Sequence, residues 1–159
     1  MGFGVFGSRR LGRGQAWYVM HRLYFHIVWT TRLREASIDA RTARFLEDFL
    51  ESVLVQERAQ LLAIGMVQTH VHVLIRAHPS TILPRLLQRA KGGSAMAANR
   101  VGLGGSEGLR WAKGYSAQSV SWRALDVVRE YVLNQERRHP HETIDGWVPS
   151  PRSLQPPAG

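Results

Sequence analysis

Apolar and polar positions change period several times along the chain, and each change marks an element. His21 to Thr31 (HRLYFHIVWTT) is dense in aromatic and β-branched residues and reads as a strand. Ser37-Ile38-Asp39 then offers N-cap oxygens. Ala43, Leu46, Phe49, Leu50, Val53 and Leu54 follow at helical spacing, so an amphipathic helix is predicted to about Gln60. Leu61 to Val67 is a short apolar run interrupted by Gly65 and reads as a strand. Gln68-Thr69 leaves room only for a tight turn, which predicts a hairpin with the next strand, His70 to Ala77.

His78-Pro79-Ser80 ends that strand, and Ser80 or Thr81 is the expected cap of a second helix. Ile82, Leu83, Leu86, Leu87 and Ala90 form its apolar face, and Arg85, Arg89 and Lys91 lie on or beside the other. Gly92-Gly93 weakens it, with continuation expected through Ala98. Gly102 to Gly108 is a glycine-rich loop. Tyr115 to Val120 reads as a fourth strand, and Ser121 as the cap of a last helix from Trp122 or Arg123 to about Arg138. The order β-α-β-β-α-β plus a helix predicts an α+β fold. It is a ferredoxin-like or RRM-like sandwich, with an antiparallel sheet covered on one face. Residues 20–140 form the domain. Residues 1–19 read as a poorly specified extension, with Met20 an alternative start. Residues 141–159 read as a Pro-rich tail, because four of the seven prolines lie between Pro149 and the end.

Composition narrows the function. The 159 residues suffice for one domain with a core. The net charge is +9, and the sequence pI of about 11.2 suits a nucleic-acid partner. Arg supplies nearly all of it, since Lys91 and Lys113 are the only lysines. The absence of cysteine excludes disulfides, thiolate metal sites and a cysteine nucleophile. No apolar run reaches membrane-spanning length, and Met1 to Arg13 lacks a signal-peptide core, so a cytoplasmic protein without a membrane partner is expected.

Two stretches carry the chemistry. In Thr69-His70-Val71-His72-Val73-Leu74-Ile75 a strand puts His70 and His72 on one face and Val71, Val73 and Ile75 on the other. Two neighbouring imidazoles on a rigid strand are a ready pair of metal ligands. In Glu130-Tyr131-Val132-Leu133-Asn134-Gln135-Glu136, Tyr131 and Gln135 share a helix face. Taken singly, each of these four residues has an ordinary structural explanation: surface histidines, a half-buried aromatic and a solvated glutamine. Together they describe a site. Two neutral imidazoles and an amide oxygen leave a divalent cation its full charge and open positions for phosphate and water. Mg²⁺ or Mn²⁺ suits that donor set, with Zn²⁺ a rival. Tyr131 would be the nucleophile, activated by the cation's field or by a proton acceptor.

These motifs resemble a known family. His70-Val71-His72 is similar to the His-hydrophobic-His motif of HUH endonucleases. Tyr131 to Gln135 resembles the Tyr-x-x-x-Gln helix of the single-tyrosine, IS200/IS605-like transposases. Phe25 to Thr31, Leu86 to Gly92 and Gly114 to Ser121 resemble the family's first strand, its L-x-x-x-K-G helix and its fourth strand. Asn134 to His139 resembles the branch associated with repetitive extragenic palindromes. The likeness spans about residues 21–140. It implies a metal-dependent transposase on single-stranded DNA with hairpins. Tyr131 would form a 5′-phosphotyrosine link, with His70, His72 and Gln135 as metal ligands. A homodimer is implied, often with each tyrosine helix completing its partner's site. One departure stands out: many relatives have an acidic residue where this chain has Thr69, which brings no charge.

For holding DNA, the candidate phosphate contacts are Arg85, Arg89, Lys91, Lys113, Arg129, Arg137 and Arg138, with Arg110 beside them. Of Trp29, Trp111 and Tyr115, at least two are expected in the core and not against bases. Two alternatives stay open. One is an HUH replication initiator or relaxase, with His26, His78, His139 or His141 as an extra ligand. The other is a non-catalytic or domesticated nucleic-acid-binding protein of the same fold.

Overall fold

The computed structural model describes residues 21–152, so the expected extension at 1–19 and the last residues of the tail lie outside it. The elements in chain order are β1 (Leu23–Thr30), α1 (Ala40–Gln56), β2 (Ala59–Val67), β3 (His70–Ala77), α2 (Leu83–Gln88), α3 (Ser94–Arg100), β4 (Ser116–Val120), α4 (Leu125–Leu133) and α5 (Gln135–Arg138). The four strands form one sheet in the order β2-β3-β1-β4, antiparallel throughout. This is the α+β sandwich the element order predicts.

Both faces of the sheet are covered. Ile27, Trp29, Val71, Val73 and Ile75 point to one face and pack with Leu46, Leu50 and Val53 of α1 and Leu86 and Leu87 of α2. Each such buried side chain stabilises the fold by roughly 1.5–3 kcal/mol relative to exposure. Tyr24, Leu62, Ala63 and Leu74 point the other way and meet Leu125 and Val132 of α4. The one-faced sheet of the sequence reading is therefore corrected. The closing helices bury the second face with a smaller apolar cluster.

Some element ends differ from expectation for identifiable reasons. Asp39 caps α1 as predicted, accepting from the Thr42 N–H at 2.8 Å. Neither Ser80 nor Thr81 caps α2. Its flanking residue is Ile82, and Pro84 in the first turn removes one N–H that would need a cap. The Thr81 hydroxyl instead donates to the Arg58 carbonyl at 3.0 Å. The Gly92-Gly93 pair does not end the helical path. Arg89–Gly93 widens into a π-helical turn that runs on into α3. Of the glycine-rich loop, Gly104 needs its glycine: its φ is +93°, and a Cβ there would stand 2.2 Å from the Leu109 nitrogen.

The expected last helix is interrupted. Ser121 caps only a 3₁₀ turn over Trp122–Ala124, and α4 then ends at Leu133. Asn134 leaves helical geometry (φ −102°, ψ 29°) while its side-chain amide donates to the Glu130 carbonyl at 2.9 Å. A single turn, α5, follows. Beyond it the chain does not leave the body. Ile144 and Trp147 are buried in the larger core, and buried Glu47 of α1 accepts from Trp147 Nε1 at 3.2 Å, from the Ser150 N–H at 3.0 Å and from Arg152 at 2.9 Å. Among the described residues no helix is long and apolar enough to cross a membrane.

Candidate active site

The strand register brings the chemistry together. Pairing sets Val28 of β1 and Gly65 of β2 on either side of His72, and Thr30 and Val67 on either side of His70. His70 and His72 therefore sit on the two central strands' shared face, under α4 and α5. Their ring centroids are 5.2 Å apart, and both side chains are buried.

Helix α4 reaches this face because of Gly65. A Cβ at that position would stand 1.8 Å from the Val132 carbonyl oxygen and 3.0 Å from Gln135 Cγ. Only a glycine lets the helix backbone settle so close to β2. The result is that the Tyr131 ring lies 5.7 Å from the His72 ring, edge to face. Arg138 places its guanidinium over the ring of that tyrosine, at 4.3 Å from the ring centre. Gln135 is almost wholly buried. Its Nε2 donates to the Tyr131 carbonyl at 2.8 Å, and its Oε1 is buried without a hydrogen-bond partner.

Neighbours hold each histidine. His72 Nδ1 is 2.9 Å from His26 Nε2, and the two rings are stacked with centroids 5.1 Å apart. The His26 ring also meets Tyr131 at 5.7 Å. His70 Nδ1 is 3.0 Å from the Thr69 hydroxyl. His139, just past α5, packs edge-on against His70 at 4.6 Å. In both metal-candidate histidines the engaged nitrogen is Nδ1, which leaves Nε2 as the nitrogen for a ligand.

Burial keeps these rings neutral. It pulls His72 down to about 3, and His70, His26, His139 and Arg138 push in the same direction. For His70 burial again lowers the value most, followed by His139. Glu142 opposes that, Arg34 adds to the lowering, and Gln135 opposes it. His26 is lowered by burial. A neutral imidazole is the form that binds a metal.

The donor set fits a small oxygen-loving cation. A buried amide oxygen without a well-formed hydrogen bond costs free energy unless something meets it, and Gln135 Oε1 is such an atom, near enough to His70 to act on that ring's charge but without a hydrogen bond of good geometry. Among the described residues no three His, Cys, Asp or Glu side chains form a metal-binding group. Two imidazole nitrogens and an amide oxygen would leave coordination positions on a cation open for phosphate.

The proposed phosphate contacts are scattered. Arg85 lies on α2 and Arg89 at the start of the π-helical turn after it, on the face of the sheet away from the histidines, and both pair with buried Glu57; the Arg85–Glu57 distance is 3.3 Å. The Lys91 ammonium donates to the Ala112 carbonyl at 3.0 Å and to the Gly114 carbonyl. It therefore braces the approach to β4. Arg129 donates to the Arg152 carbonyl at 2.9 Å. Lys113, Arg137 and Arg138 are exposed, and Arg138 lies over the tyrosine ring. Trp29 and Trp111 pack edge to face at 5.9 Å, while Tyr115 is exposed. Two of the three aromatics thus belong to packing, as expected.

Of three further residues that the structure places in the site, sequence reasoning named His26 and His139 only as possible extra ligands of the initiator or relaxase alternative, and did not name Glu142. His26 had a signal, since it lies on the Tyr24-His26-Val28 face of β1. His139 was read as a loop residue, and Glu142 had no signal because only the path of the chain after α5 brings it here.

Comparison with known proteins identifies the family and the fold. A family model described as "Transposase IS200 like" matches residues 19–135. The ISDra2 transposase TnpA of Deinococcus radiodurans is 26% identical over 128 residues, which is 78% of this chain and 89% of that protein. A crystal structure of a Deinococcus radiodurans R1 chain described as a transposase is 27% identical, with a TM-score of 0.56 over 80% of this chain and 98% of its own. The REP-associated tyrosine transposase bound to a REP hairpin shares the fold, with a TM-score of 0.58 at 13% identity, over 87% of this chain and 76% of its own. On the family match, which takes in β1, the histidine strand and Tyr131 through Gln135, this chain belongs to the IS200-like transposase family, a family of DNA-cleaving enzymes.

Proposed function

We propose that this protein cleaves and rejoins single-stranded DNA by metal-assisted transesterification through Tyr131. The observation that carries this is the convergence of Tyr131 with His72, at 5.7 Å between rings, beside His70 and the unpartnered Gln135 Oε1. Residues some sixty positions apart in sequence meet on one buried face.

His70, His72 and Gln135 are the proposed ligands of Mg²⁺ or Mn²⁺. Bound there, the cation would polarise the phosphoryl group and stabilise the departing oxygen. Tyr131 supplies the attacking phenolic oxygen. A bond forms between that oxygen and phosphorus, the bond from phosphorus to the 3′-oxygen breaks, and the 3′-oxygen leaves as a hydroxyl. The tyrosine's proton passes to solvent or to a neighbouring acceptor, the His26 and His72 rings both lying 5.7 Å from the tyrosine ring, and the departing 3′-oxygen takes its proton from solvent. The product is a 5′-phosphotyrosine link, and attack by a 3′-hydroxyl reverses the chemistry on the same or another strand. The stored ester explains why no energy-rich cofactor is needed.

Hairpin-bearing DNA is the proposed partner, supported by the fold shared with the hairpin-bound REP-associated enzyme and by the net charge of +9. Homodimerisation is part of the proposal by family likeness. The four residues already meet within one chain, which favours catalysis in cis. A three-histidine nickase is the second reading, and the contact between His139 and His70 favours it. It predicts that His139→Ala, and not Gln135→Ala, removes metal binding.

The test is a gel assay with end-labelled hairpin DNA and Mg²⁺ or Mn²⁺. A covalent protein–DNA band in the wild type that is lost in Tyr131→Phe, with DNA binding retained, is expected. Equal nicking by that variant would take Tyr131 out of the mechanism.

A further inference from the structure

Thr69 has no charge of its own, yet it connects His70 to one. Its hydroxyl donates to Glu142 Oε2 at 3.0 Å. A hydroxyl has one proton, so towards His70 Nδ1, at 3.0 Å, the same oxygen can only accept. The chain of donors therefore runs from His70 Nδ1–H to Thr69 Oγ1–H to the Glu142 carboxylate. That direction fixes His70 as the tautomer whose Nε2 carries the lone pair.

The carboxylate is held in place by its own backbone. The Gln68 N–H donates to the Glu142 carbonyl at 2.9 Å, the Gln68 side-chain amide donates to the Thr143 carbonyl at 2.9 Å, and the Glu142 N–H donates to the His139 carbonyl at 3.0 Å. Ile144 and Trp147 anchor the next turns in the core. The segment after α5 is thus clamped onto the β2–β3 turn, with Glu142 Oε2 at 3.9 Å from His70 Nδ1 and 3.8 Å from His139 Nδ1.

We propose that Glu142 is a positioning residue which, through the Thr69 hydroxyl, supplies the negative charge that orients His70 and raises its strength as a metal ligand. Partners of this kind behind a ligating histidine commonly change metal affinity by roughly 10–100-fold. The inference rests on the metal reading of the site given above.

The experiment measures Mn²⁺ binding to the full-length protein, without DNA, from the electron paramagnetic resonance signal of free Mn²⁺. It compares wild type with His70→Ala, Glu142→Gln and the double variant Thr69→Asp/Glu142→Gln. Expected is tight binding by wild type, loss in His70→Ala, and weakening of about tenfold or more in Glu142→Gln. The double variant should recover most of the affinity, because an aspartate at 69 brings the charge back beside His70. Unchanged affinity in Glu142→Gln, with loss in His70→Ala, overturns the relay and leaves the metal reading standing. Absence of Mn²⁺ binding by wild type overturns both. Should Glu142→Gln fail to fold, nitrogen-15 NMR of the His70 ring in Thr69→Val decides without any metal. Loss of the Nδ1–H preference seen in wild type is expected, and an unchanged tautomer overturns the relay.

Discussion

Gly65 of β2 lies directly under the carbonyl of Val132 in α4. A Cβ added to Gly65 would stand 1.8 Å from that oxygen. This contact sets the height of the tyrosine helix above the histidine strand. Gly65→Ala is expected to lift the helix and cost at least about 1–3 kcal/mol, the usual range for overpacking. Thermal melting will read the loss. Covalent adduct formation should fall more than unfolding at the assay temperature explains, because Tyr131 and Gln135 move with the helix. A variant that melts and reacts like wild type would refute the contact's role.

Stability should depend on pH through the buried histidines. His72 is held at about 3 in the folded chain, against about 6.5 when unfolded. Between those values the unfolded chain binds more protons. The stabilisation is therefore fully present above about pH 6.5 and is lost as pH falls towards 3. His70 and His26, also lowered, act in the same direction. The melting temperature measured from pH 7.5 down to 4 is expected to drop progressively below 6.5. A flat profile across that window would contradict neutral burial of these rings.

Glu47 binds the C-terminal strap to α1. Its carboxylate is buried and accepts from Trp147, Ser150 and Arg152. Arg152→Ala removes the charge partner and leaves the carboxylate inside, a change that typically costs about 3–5 kcal/mol. Urea unfolding should show a lower midpoint. A midpoint equal to wild type would mean that residues 144–152 do not hold this position in solution.

The basic residues should separate into two groups. Arg137 is exposed on α5, the turn that follows the tyrosine helix, so Arg137→Ala is expected to weaken single-stranded DNA binding alike across sequences and to make its salt dependence shallower by about one unit. Arg89 is tied to buried Glu57 on the other side of the sheet. Arg89→Ala should lower the melting temperature and leave the salt slope nearly unchanged. Titrations at several salt concentrations, paired with melting curves, distinguish the two; a steep loss of slope in Arg89→Ala would place the end of α2 and the turn after it in the DNA path.

Much of this was legible in the sequence because it depends on local rules. Alternation put His70 and His72 on one face of β3, and that strand's bounds match the prediction residue for residue. Helical spacing located α1, and the two-residue gap at Gln68-Thr69 required a hairpin. The element order then implied the sheet. The tyrosine helix was less legible. Good helix formers (Gln135, Glu136, Arg137, Arg138) run on past Asn134, and only the backbone geometry there shows a break between Tyr131 and Gln135.

What the sequence determined by itself was the identity of the chemical groups and their face on each element, since period and residue type need no partner. What only the tertiary structure decided was which groups face each other across elements. The packing of α4 on Gly65 sets the distance from Tyr131 to His72. The β1–β3 register brings His26 to His72. The return of the chain after α5 brings Glu142 to Thr69. None of these follows from spacing, because side chains far apart in sequence meet only where burial of apolar surface has already fixed the backbones that carry them.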